Sequence, residues 1–193
     1  MSLVRSVIKV AFSPPILLMV TKVYIPTLFP ATFLIGLTAV WMDRVLDSPL
    51  SGVIGLHTSG GYLPTPLNYT LAAITFVVGV IAWLLTYEQL VTIGKGSPSP
   101  TAGRTQELVT TGIYAYSRNP SLYGKLLGVF AVGMALNSFS FCFILVPLLL
   151  TVSLYEKVWR QEPQLVAIFG EEYLAYQKAV PLFIPWKIFS TKR

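Results

Sequence analysis

Charge is what this sequence has least of. Asp, Glu, Lys and Arg make up 11% of its 193 residues, while 54% are hydrophobic. Soluble domains carry roughly 25% charge. With a mean hydropathy of +0.67, the chain reads as an all-α integral membrane protein. It also lacks the residues of metal and redox centres. Cys142, the single cysteine, sits in an apolar run. That excludes a disulfide within the chain and suits a buried, inert thiol. His57, the single histidine, lies in a loop rich in Gly, Ser and Pro, with no second His or Cys to make a metal site. No Ser or Cys stands beside a histidine, and no carboxylates pair at a cleft, so side-chain nucleophilic catalysis has no candidate. The Gly94–Pro100 turn lacks the Lys-Ser/Thr order of a phosphate loop and reads as an ordinary loop. The N-terminus lacks a small-residue cleavage pattern, so a removed signal peptide is not expected. Basic residues exceed acidic ones by 14 to 8. They form no stripe interleaved with aromatics, which disfavours nucleic acid; retention of Lys and Arg in cytoplasmic loops explains the excess better.

What is there is a series of long apolar runs. One membrane domain over 1–193 is expected, with about five transmembrane helices near 6–25, 30–46, 67–89, 120–137 and 140–160. Pro14-Pro15 interrupts the first, which either spans or lies in the interface; in the second case the count is four. Asp43, Arg44 and Asp47 are expected to mark the exit of the second helix into water, followed by a loop over 48–66. Residues 126–155 carry no charge and are divided by Asn137-Ser138-Phe139-Ser140. This predicts a C-terminal helical hairpin whose outer ends meet. Lys95, Arg104, Arg118 and Lys125 make the preceding loop the most basic internal one, which puts that end, and the C-terminus, in the cytoplasm. Gly128 and Gly133 are expected to thin one hairpin helix for close packing, without the GxxxG spacing of a dimer motif, so a monomer is expected.

Two polar stretches flank the hairpin. Leu108–Gly124, LVTTGIYAYSRNPSLYG, combines Gly, Thr, three Tyr, Arg, Asn and Pro at a membrane edge. Such groups are costly there unless used or satisfied. The second, Lys157–Pro181, begins where the last span leaves the bilayer, with Lys157, Arg160 and Glu162 at its mouth. Glu156 and Arg160 are spaced as a helical ion pair. The hairpin should bring the two stretches together as a cytoplasmic pocket. With no nucleophile or base in sight, transfer from a pre-activated donor fits, because positioning alone can supply much of the rate.

LVTTGIYAYSRNPSLYG, an uncharged hairpin, and then Glu162 with FGEEYLAYQKAVP resemble the isoprenylcysteine carboxyl methyltransferase family, part of a wider phospholipid methyltransferase group. The likeness covers 88–186 and extends to an archaeal member of known structure. It implies S-adenosyl-L-methionine as donor, S-adenosyl-L-homocysteine as product, and a lipophilic or prenylated acceptor. By position in the motif it assigns Gln106, Leu108, Val109, Tyr114, Arg118, Asn119, Pro120, Leu122 and Glu162 to the cofactor pocket. Arg160 and Lys157 are the candidates to face an acceptor carboxylate, with Glu162 beside them. Tyr114, Tyr116 and Tyr123 are placed to stack on adenine or face the sulfonium. Many members have His where this chain has Asn119, which cannot titrate near neutral pH, and two adjacent glutamates where it has Gln161-Glu162. A phospholipid amine acceptor and a dinucleotide-dependent membrane reductase are the alternatives.

Overall fold

The computed structural model describes residues 29–54, 61–95 and 105–184. The expected span at 6–25, His57, residues 96–100 of the expected Gly94–Pro100 turn, and Arg104 lie outside them. Among the described residues all regular structure is helical. Helix α1 is Phe29–Ile54 and α2 is Leu67–Thr92. A 3-10 turn, Gly112–Ala115, leads into α3, Pro120–Ala135. Then come α4, Phe141–Phe169, and α5, Glu171–Ala179.

Helices α2 and α4, of 26 and 29 residues, are long and apolar enough to cross a membrane. They are also largely uncovered by protein. Ile74, Phe76 and Val77 on α2, and Leu148, Val152 and Tyr155 on α4, are exposed. An apolar surface of this extent suits lipid. Helix α3 has 16 residues, about 24 Å at 1.5 Å per residue, which is short of the roughly 30 Å hydrocarbon layer.

The reading of α1 needs correction. Asp43 does not mark an exit into water, although Arg44 is exposed, and the helix runs past both and past Pro49 to Ile54. Asp43 is only 4% exposed. It accepts a hydrogen bond from the Ser138 hydroxyl and one of 2.7 Å from the Ser140 backbone N–H. Orphan N–H groups at a helix start need such an acceptor, so the carboxylate caps the start of α4 from a neighbouring helix. At the same turn Asn137 has a positive φ of 53°. Its amide accepts from the N–H groups of Tyr62 and Leu63 and donates to the Leu63 carbonyl.

Helices α2 and α3 pack through Gly79 and Gly124. A Cβ on Gly124 would lie 2.7 Å from the Gly79 carbonyl oxygen and 2.8 Å from the Trp83 nitrogen. Both are backbone atoms, which cannot swing aside. Gly133 is similarly tight against Cys142 and Phe141, but Gly128 faces open space; of the two glycines expected to thin the hairpin, only Gly133 does. Gly124→Val is therefore expected to cost about 1–3 kcal/mol through overpacking. Thermal unfolding in detergent measures it, and a melting temperature equal to wild type would show that the helices do not meet here.

Helix α4 contains two π-helical turns, Phe141–Leu145 and Lys157–Gln161. Each is followed within two residues by a proline, Pro147 and Pro163. Proline removes one i→i−4 hydrogen bond and its ring clashes with that carbonyl. The wider i→i+5 turn accommodates both defects. An inserted residue also turns the rest of the helix by about 100°, which sets the direction of Glu162.

Candidate active site

The outer ends of the hairpin meet at one buried ion pair. Arg118, just before α3, bonds through Nη1 to Oε1 of Glu162, the residue that follows the second π turn. Their side chains are 10% and 8% exposed. The Arg118 backbone is fixed as well, its N–H donating to the Pro181 carbonyl at 3.0 Å. This ion pair is buried, whereas Lys95–Glu107 is on the surface. The expected Glu156–Arg160 pair is not among the ion pairs of the described residues.

Helix α5 completes the shell around Glu162. Gly170, at φ 55° and ψ −130°, turns the chain back in a conformation suited to glycine. Tyr173 and Gln177 then face the carboxylate. The Tyr173 hydroxyl donates to Oε1 at 3.4 Å and the Gln177 amide to Oε2 at 2.7 Å. Burial, with the Glu162 charge adding to it, pushes the Tyr173 hydroxyl up to about 12, so it stays protonated and donates. Burial raises Tyr114 and Tyr176 too. The Tyr176 hydroxyl donates to the Tyr114 carbonyl at 2.7 Å and ties α5 to the 3-10 turn. One polar atom here has no partner: the buried Nε of Arg118.

Residues 181–183 cross the other side of the Arg118 segment. The Leu182 carbonyl accepts from the Asn119 amide at 3.2 Å and the Ser117 hydroxyl at 3.4 Å. The Tyr123 hydroxyl donates to the Phe183 carbonyl, and the two rings stack at 4.4 Å between centroids. Asn119 thus holds the C-terminal segment through its amide. Beside it lies an open groove of ≈ 300 Å³ between α2 and the 3-10 turn, lined by Ala82, Leu85, Thr86, Ile113, Tyr116, Ser117, Pro120 and Tyr123.

The other expected site residues fall in three groups. Val109, Tyr114, Pro120 and Leu122 are buried around the Arg118 segment, and Leu108 packs on Tyr173, Tyr176 and Val180. Gln106 is exposed, its backbone N–H bonded to the Gly94 carbonyl at 2.9 Å. Lys157 is half-buried and donates to Gln161 at 2.6 Å, whereas Arg160 is exposed; among the described residues neither is bonded to the Arg118–Glu162 pair. Sequence reasoning missed Tyr173, Gln177, and the α2 wall of the groove. Tyr173 and Gln177 are four apart on α5, which is a signal of a shared face. Among the described residues no cluster of His, Cys, Asp and Glu could hold a metal ion.

The sequence model of the phospholipid methyltransferase family matches residues 67–172, from α2 into α5. The protein-S-isoprenylcysteine O-methyltransferase of Schizosaccharomyces pombe is 38% identical over 78 residues, 40% of this chain and 33% of that protein. Those of Mus musculus and Homo sapiens are 33% identical over 82 residues, 42% of this chain and 29% and 28% of theirs. The matches thus span about a third of the length of these curated relatives. No solved structure matches the chain, and the expected likeness to an archaeal member of known structure rests on the motifs alone.

Proposed function

Because the chain belongs to the phospholipid methyltransferase family, whose model covers more than half of it, we propose that it is an integral membrane methyltransferase. Its donor is S-adenosyl-L-methionine and its acceptor a lipophilic carboxylate of the prenylcysteine kind. The carrying observation is the buried Arg118–Glu162 pair with bonding capacity left on both partners. Arg118 Nε is a buried donor without an acceptor. A carboxylate has about four lone-pair sites, and Glu162 receives three donors, from Arg118, Tyr173 and Gln177. A donor site beside an acceptor site suits a zwitterion such as the amino-acid end of S-adenosylmethionine, with its carboxylate towards Arg118 and its ammonium towards Glu162. Bound there, the donor supplies an electrophilic methyl group; the chain holds it, orients it and keeps water away.

The acceptor follows from what the site lacks. A carboxylate is ionised at neutral pH and needs no base. A phospholipid amine must lose a proton, and Glu162, already receiving three donors, is poorly suited to take it. Lys157 or Arg160 would orient an acceptor carboxylate by a charge-assisted hydrogen bond. The groove beside Ser117 and Pro120, the neighbours of Arg118 and Asn119, is apolar enough for the lipid arm to reach the site from the bilayer. In this reading the protein is one domain of about five spans, acts as a monomer, and binds its donor from the cytoplasm.

Calorimetry with S-adenosylhomocysteine on the detergent-solubilised protein tests the donor. Binding is expected, and no measurable heat overturns the methyltransferase reading. Transfer of labelled methyl to a prenylcysteine analogue and to phosphatidylethanolamine tests the acceptor. The prenylcysteine analogue is expected to be methylated, and activity on the phospholipid alone reverses the assignment.

A further inference from the structure

Two of the donors on Glu162 share one oxygen. Arg118 and Tyr173 both reach Oε1, while Gln177 alone holds Oε2. A carboxylate held at one oxygen can pivot about that contact, so the direction of Oε2 depends on the Gln177 amide at 2.7 Å. Facing a carboxylate, that amide presents its NH2. Tyr173, only 2% exposed, is fixed by packing and cannot follow a pivot. Gln177 is neutral, so it adds direction rather than net charge. It stands one turn beyond Tyr173 on the same face of α5, and α5 is itself tied to the 3-10 turn through Tyr176. Arg118 Nε is a buried donor without a partner on the same ion pair.

We infer that Gln177 is a positioning residue of the donor site: it fixes Oε2 of Glu162 in the direction that receives the ammonium of a zwitterionic ligand. The inference rests on the methyl-donor reading and adds a residue to it. Gln177 does not touch the reacting atoms; it acts through Glu162. Any side chain of similar reach that donates a hydrogen bond serves the same purpose, and one that cannot donate does not.

The test compares Gln177→Met, which keeps the length and loses the donor, with Gln177→His, whose neutral imidazole at pH 8 regains an N–H donor of similar reach. Both are made in the full chain and purified in detergent. S-adenosylhomocysteine affinity, donor KM, kcat and melting temperature are measured for each. Gln177→Met is expected to weaken binding about tenfold, the usual worth of a hydrogen bond to a charged group. Donor KM should rise by the same factor, with kcat changed less; the melting temperature should fall modestly, because Oε2 loses its donor, and affinity is therefore taken per folded molecule. Gln177→His is expected to restore most of the affinity. Wild-type affinity in Gln177→Met, or a Gln177→His variant as weak as Gln177→Met, overturns the role of Gln177 and leaves the methyl-donor reading standing. A wild-type protein that binds no S-adenosylhomocysteine removes both.

Discussion

Glu162→Ala is expected to weaken S-adenosylhomocysteine binding by about a hundredfold, the scale seen when one partner of a buried charge pair is truncated. It should also lower stability by about 3–5 kcal/mol, because Arg118 is left as an uncompensated buried cation. Arg118→Ala leaves the opposite charge bare and should act to a similar extent. The effects come from one pair, so the double variant should lose less stability than the two single losses added together. Urea titration of each variant measures this, and calorimetry on the folded fraction separates binding from folding. Glu162→Gln sharpens the prediction. It keeps the shape and most hydrogen-bond sites but removes the charge, so it should fold better than Glu162→Ala and still bind the ligand weakly. If both alanine variants keep wild-type affinity, the pair is a structural bridge between the hairpin ends, and the donor site lies elsewhere.

The meeting of Arg118 and Glu162 in one pocket was legible in the sequence, though not their pairing, for a physical reason. Arg118 and Glu162 lie a few residues beyond the two ends of the uncharged run 126–155, at the membrane edge, where an ionisable group must be paired or used. An uncharged stretch with Asn137–Ser140 at its middle can only fold back, so its ends, and these two charges, had to meet. Gln177 and the groove wall from α2 left no such mark, because a neutral amide and ordinary apolar residues look alike in many settings. The π turn before Glu162 was written in the sequence through Pro163, yet its consequence is a rotation about the helix axis, which periodicity alone does not give. The exit expected at Asp43 shows the limit of the border rule. A charge at the end of an apolar run can face water, or it can satisfy backbone donors of another helix, and only the fold distinguishes the two.

Asp43 therefore carries the second large prediction. Asp43→Ala removes the acceptor of the Ser140 backbone N–H and the Ser138 hydroxyl, both buried. A buried polar group left without a partner costs about 1–3 kcal/mol, so a loss of roughly 2–5 kcal/mol is expected for the two. Asp43→Asn keeps one carbonyl oxygen for the Ser140 N–H and should lose less. The hairpin tip is one length of α3, 16 residues or about 24 Å, from the Arg118–Glu162 pair. S-adenosylhomocysteine affinity per folded molecule is accordingly expected to stay at the wild-type value in both variants. Thermal melts and calorimetry on the same preparations check the two halves. An unchanged melting temperature in Asp43→Ala would mean that the carboxylate does not hold the tip. A loss of affinity without a loss of stability would place Asp43 in communication with the site. The expected result, lower stability with binding intact, divides the hairpin by function: its tip fastens α1 and α4 together, and its open end recognises the ligand.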